Sequence, residues 1–346
     1  MTRPARGAFV LQPCSSPEDP VFKNLMVYRL AAEWQADVAK IEEALEAGRF
    51  IPCGATQAQS VGWVPPRGIE HAPLVEAVDG HLLLKLMVEQ RVLPGSVVKR
   101  RVDEMAAAEE AQSGRKPGRK ALKEMKEFAT QELLPLAFTK QGSLRVWIAP
   151  KQQLLMIDAS SPSRAEEVVS LLVKALDGLS LHLIQTAESP AVCMAAWLMD
   201  SQPPHEFTID RDCELKSGDE QKSAVRYARH ALDIEEVKLH LQAGKQPTRL
   251  AMSWRDRVSF VLTDTLQLKK IAFLDLVFEG QDKPGKDEQF DADAALSTGE
   301  LGDLIPALIE ALGGEHDFFG SAPAPATLPV VVESKEPALE GAAPWD

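Results

Sequence analysis

Between Ser113 and Phe138 the chain reads SGRKPGRKALKEMKEFATQELLPLAF. As far as Lys126 this stretch holds six cations, Arg115, Lys116, Arg119, Lys120, Lys123 and Lys126, against one anion, Glu124. Pro117 and Gly118 interrupt whatever precedes them, and a helix is expected from about Arg119, since proline is tolerated at a helix start. On that helix Leu122, Met125, Ala129 and Leu133 recur at spacings of three and four, which predicts an apolar stripe. Arg119, Lys123 and Lys126 stand at i, i+4 and i+7 on a neighbouring face. Like charges so placed repel one another by a few tenths of a kcal/mol per pair, roughly. Such a face is either solvated or kept for something negative, of which a phosphate backbone is the specific case. From Pro94 to Gln112 a second helix is expected, carrying Lys99, Arg100 and Arg101. Two helices with a Gly-Pro-Gly break between them predict a projecting helical arm.

The charge of the whole chain opposes that reading until it is located. The net charge is −13 over 346 residues, but residues 281–346 hold three cations and fourteen acids. The first 280 residues therefore carry only −2. A near-neutral body with a local basic run can bind DNA, because the field at the patch decides. Four cysteines (Cys14, Cys53, Cys193, Cys213) lie far apart with no C-x-x-C, which fits a reducing cytoplasm and argues against zinc or a disulfide scaffold. No apolar run approaches the ~20 residues of a membrane span. The N-terminal apolar patch is broken by Gln12 and Pro13, so no export signal is expected.

Six regions are expected along the chain. Residues 1–20 are a disordered or non-native extension, with the native product starting at Val21 through an internal start codon read as valine. Residues 21–93 form a first α+β region: a half-buried strand in VFKNLMVYRL, a helix with Trp34, Val38, Ile41 and Leu45 on one face, and strands at 59–64 and 81–93. The helical basic arm spans 94–142. A second α+β region, 143–222, reads strand, turn, strand, helix, strand, helix. Residues 223–314 hold a strand from Ala224 to Ala231, a helix at 233–243, a three-stranded antiparallel meander and a C-terminal helix that Pro306 should kink. Residues 315–346 are an acidic, Pro/Ala-rich disordered tail. The fold class is α+β, with antiparallel or mixed sheets, flanking helices and the arm.

Few residues offer chemistry. FDADAALSTGEL presents Asp291, Asp293 and Glu300, which could ligate a metal, although acids at a helix start also favour the dipole and cap the backbone. The histidines are scattered, and no nucleophile elbow, Walker-type loop or dinucleotide fingerprint occurs. In RYARH, Arg226, Ala228 and His230 would alternate on one face of a strand, either as a solvated edge or as a contact surface. Trp63, Trp147 and Trp254 sit in strand-like settings and are expected in the core. No cofactor is expected.

Several segments together resemble one family: FKNLMVYRL (22–30), PCG (52–54), GWVPP (62–66), LLPLAF (133–138), QAGK (242–245), FDADAALSTGEL (290–301) and LIEALGGE (308–315). In this order they resemble the bacterial recombination-associated RdgC family, from Phe22 to about Glu315. The resemblance implies an α+β homodimer closed into a ring that encircles duplex DNA without sequence preference, restrains the RecA recombinase and performs no catalysis. It implies a cytoplasmic, nucleoid-associated protein with no membrane contact, and leaves single-strand binding open. Lys99, Arg100, Arg101, Arg115, Lys116, Arg119, Lys120, Lys123 and Lys126 would help line the hole. Phe138 would lie near one subunit contact, and Arg229 with His230 near the other. Leu136 stands where relatives tend to carry arginine, and residues 1–20 and the tail after Glu315 have no counterpart. Two other classes remain: a metal-dependent nuclease using Asp291, Asp293 and Glu300, and a protein-only adaptor whose basic arm meets an acidic partner.

Overall fold

The computed structural model describes residues 22–219, 223–278 and 288–316. The expectations for residues 1–20, for a start at Val21 and for the tail beyond His316 lie outside the described residues. The elements run β1 (Asn24–Leu30), α1 (Val38–Glu46), β2 (Gln59–Val64), β3 (Glu76–Val78), β4 (His81–Val92), α2 (Gly95–Ser113), α3 (Arg119–Leu133), β5 (Phe138–Ala149) and β6 (Leu154–Asp158). They continue α4 (Pro162–Ala175), β7 (Leu181–Leu183), α5 (Pro190–Asp200), β8 (Phe207–Ser217), β9 (Ala224–Tyr227), α6 (Glu235–Gln242), β10 (Lys245–Trp254), β11 (Val258–Thr263), β12 (Leu268–Phe273), α7 (Asp275–Phe278) and α8 (Gln289–Ala311).

One open antiparallel sheet takes all twelve strands, in the order β2-β4-β5-β6-β1-β12-β11-β10-β8-β9, with β3 on β4 and β7 on β1. The chain's first strand joins the two halves: Leu25 lies opposite Asp158 of β6 and also opposite Leu268 of β12. Its neighbours alternate between two cores. Leu25 and Val27 pack on one face with α5, α6 and α8, while Met26, Tyr28 and Leu30 pack on the other with α1 and α4. The sequence pattern of a half-buried strand is thereby corrected, because both faces of β1 are covered. Trp147 and Trp254 fill the first core and Trp63 the second, all buried as expected.

Local chemistry explains most boundaries. Asp37 accepts from the amides of Ala39 and Lys40 to start α1, whose buried side chains are Ile41 and Leu45; Trp34 precedes the helix. Ser189 accepts from Val192 N–H to start α5, whereas Ser161 starts α4 with no side-chain cap, beside Pro162 at the first turn. The GWVPP motif is a close approach of backbones: Trp63 exchanges hydrogen bonds with Gly48 O and Phe50 N–H, both at 2.9 Å. A Cβ on Gly62 would lie 2.7 Å from Phe50 N, so only glycine fits. α8 remains one helix through Pro306, with Leu304, Ile305 and Leu308 buried around it. Besides β1, and β9 whose end is described below, three strands differ from the sequence pattern, of which the short β3 was not expected at all. β8 was not expected, since DRDCELK puts five charges in it and its pairing with β10 has register shifts. β5 starts at Phe138, five residues before the expected Ser143.

Candidate nucleic-acid interface

The arm is a helical hairpin, α2 packed on α3, inserted between β4 and β5. Its far turn is built by local chemistry. Gly114 takes a left-handed φ of 70° and its N–H reaches Glu110 O, while Ser113 Oγ donates to Glu109 O at 2.8 Å. α3 begins at Arg119, where the Pro-Gly break placed it, and buries Met125 and Ala129. The stripe is narrower than its spacing suggested, because Leu133 is half-buried and Leu122 is exposed. α2, at 19 residues, is about 28 Å long at 1.5 Å per residue.

The structure separates the arm's cations by what they touch. Arg115 and Lys116 lie in the far turn, and Arg119, Lys120, Lys123 and Lys126 follow on α3, all exposed. Lys120 and Lys123 reach Glu124 and Glu127 only at 4.0 and 3.9 Å, as i,i+4 pairs worth little in water. Among the described residues no acid lies within ion-pair distance of Arg115, Lys116, Arg119 or Lys126. At the near end Lys99 and Arg100 are exposed, but Arg101 is engaged. Its Nε and Nη2 meet Glu132 of α3 at 3.0 Å each, and Nη1 meets Glu104 at 3.3 Å. Arg101 thus pins the two helices together. α2 carries Asp103 and Glu104 in its middle and Glu109 and Glu110 in its last turn, so the arm's uncompensated cations lie on the far turn and α3.

The base of the arm exposes apolar side chains. Phe138 is 88% exposed, Leu136 77% and Phe128 57%. Phe138 is paired with Val92 at the end of the β4–β5 ribbon, whose last residues reach beyond the core. It therefore opens a strand and does not close the helix. Phe128 escaped notice in the sequence because it falls off the Leu122–Met125–Ala129 stripe. At the other end of the sheet, β9 stops at Tyr227, so the expected alternation through His230 is not formed. Arg229 turns at φ 53°, with its N–H on Asp212 Oδ1 at 2.7 Å. The exposed His230 ring meets Ala231 O through Nδ1 at 2.8 Å.

The three carboxylates considered for metal are split up. Arg67 holds Asp291 at 2.6 and 3.1 Å, and Arg257 holds Glu300 through Nε at 2.9 and 3.1 Å. Burial pushes Asp293 up, against a hydrogen bond from Gln289. Among the described residues no three His, Cys, Asp or Glu side chains are grouped to hold a metal ion. Cys193 and Cys213 are pushed up to about 11 and about 12, chiefly by burial, so neither thiol is poised as a nucleophile. Among the described residues no helix is long and apolar enough to cross a membrane.

These features define an α+β protein whose open antiparallel sheet carries a cation-tipped helical hairpin and an exposed apolar base. The family model described as "Putative exonuclease, RdgC" matches residues 21–315. A protein of Dechloromonas aromatica named "Recombination-associated protein RdgC" is 49% identical over 299 residues, covering 85% of this chain and 98% of its own. Proteins of the same name from Cupriavidus necator and Herminiimonas arsenicoxydans are 46% and 45% identical, each over 297 residues and 85% of this chain, with 99% and 98% of their own lengths covered. The chain belongs to the RdgC family.

Proposed function

We propose that this protein binds duplex DNA without sequence preference, as a homodimer closed around the duplex, and acts in recombination by restraining RecA. The observation that carries the proposal is the arm, whose exposed cations from Arg115 to Lys126 run from the far turn to the middle of α3, in a hairpin that exposes Phe138 and Leu136 at its base. Cations of this kind exchange condensed counterions for phosphates, which gives affinity with little sequence information. Apolar side chains so exposed at the root of a charged arm favour burial against a second copy. Arg229 and His230, exposed at the far side of the sheet, offer a second contact, and two contacts per subunit permit closure. A closed ring then holds DNA by topology as well as by affinity.

The name of the relatives supports the recombination role, while the description of the family model suggests a nuclease. The arrangement of Asp291, Asp293 and Glu300, two of them neutralised by different arginines, favours binding over cutting. The test is incubation with supercoiled plasmid and with two unrelated linear duplexes, in Mg²⁺ or Mn²⁺. Equal binding of both duplexes with intact plasmid supports the proposal. Nicking or shortening of the DNA would replace it with the nuclease, and no binding to either duplex would leave the protein-only adaptor.

A further inference from the structure

Two family-like segments, PCG at 52–54 and LLPLAF at 133–138, lie about 80 residues apart in sequence, yet one side chain holds both. Arg91, near the end of β4, spreads its guanidinium between them. Nη1 donates to the carbonyls of Leu134, Pro135 and Ala137 at 3.3, 3.5 and 3.1 Å. Nε and Nη2 donate to Gly54 O at 3.3 and 3.2 Å. The first set lie in the tight turn that ends α3, where the Leu134 carbonyl also accepts from Ala137 N–H at 3.1 Å. Two residues earlier on the same strand face, buried Glu89 accepts from Cys53 N–H at 2.6 Å and from Gln141 Nε2 at 3.3 Å. A cation and an anion on β4 thus tie the PCG loop to the turn that carries Leu136 and leads into Phe138.

We propose that Arg91 is a positioning residue for the subunit contact: by clamping the Leu134–Ala137 turn against the PCG loop, it sets how Leu136 and Phe138 are presented to the second copy. This rests on the reading of Phe138 as an intersubunit contact. A planar fork is needed, because a lysine ammonium at this position could not serve both sides at once.

The experiment is a double-mutant cycle on the full chain, reading dimer dissociation by sedimentation and folding by thermal melting. R91Q and R91K should each weaken the dimer about tenfold, the loss expected for hydrogen bonds from a charged donor. F138A should weaken it as well. In the F138A background R91K should cost little more, since the two act on one contact. Additive losses would overturn the proposal, because Arg91 would then support the fold in general. So would an unchanged R91K dimer alongside a weakened F138A dimer, which leaves the Phe138 reading intact. An unchanged F138A dimer would sink both. A melting transition lost in R91K as well as in R91Q would show that the clamp holds the core and would overturn the positioning role.

Discussion

Glu214 shows what a charged residue inside a strand can do. It is buried in the middle of β8, where Lys216 Nζ reaches it at 2.8 Å, Arg226 donates to Oε2 and Thr248 donates to Oε1 at 3.0 Å. Lys216, then Arg226 and Thr248, hold its carboxyl down to about 2, against the opposing effect of burial. The folded value lies below the ordinary 4.5, so the stabilisation is whole above about pH 4.5 and is lost as the pH falls toward 2. E214Q is therefore expected to melt below the parent at pH 7, with the gap narrowing steadily between pH 4.5 and 2. A gap of constant size across that range in thermal melts would contradict the assignment. Counting cations along the sequence could not distinguish such partners. Arg101 and Arg119 look alike there, but Arg101 is spent on Glu132, 31 positions away, and Arg91 on carbonyls 37 to 46 positions away.

At the scale of elements, the arm was legible because its signals are local. Pro117 and Gly118 mark the break, and three- and four-residue spacings mark the helix. β8 and the first half of β5 were not legible, since FTKQG has no apolar alternation and is held by pairing with β4 alone. The strand expected through His230 failed for the same reason, as Asp212 draws the Arg229 backbone into a turn. The candidate site follows this division: its cations were visible, whereas the exposed Phe128 and the Arg91 clamp depend on contacts distant in sequence. The arm's role has a quantitative test. Each phosphate contact adds ~0.9 to the slope of log affinity against log salt on duplex DNA. Replacing Arg119, Lys123 and Lys126 with alanine should flatten that slope by up to ~5 in a dimer, equally for unrelated sequences. Alanine favours helix, so circular dichroism should be unchanged. Lys269, which donates to Ser160 O at 3.3 Å, and Lys270 on β12 serve as the control pair. A slope lost in the control and kept in the arm variant would move the DNA surface to the meander.

For the whole molecule, one sheet makes the arm and the meander parts of a single frame. β1 pairs with β6 on one side and β12 on the other, so the arm's base and the Arg229–His230 turn belong to opposite ends of the same strand order. Contacts at two ends of a continuous sheet are what closing a ring from two copies requires. On the proposed function the acidic balance of the chain would favour solubility, while the local field of the arm would direct it to phosphate. The most direct test of this account is retention on DNA of matched sequence and length, closed circular against linear, after a challenge with high salt. A protein that encircles the duplex should stay on the circle, leave the linear form, and be released when the circle is cut once. Equal release from circle and line would contradict encirclement and reduce the protein to a surface binder.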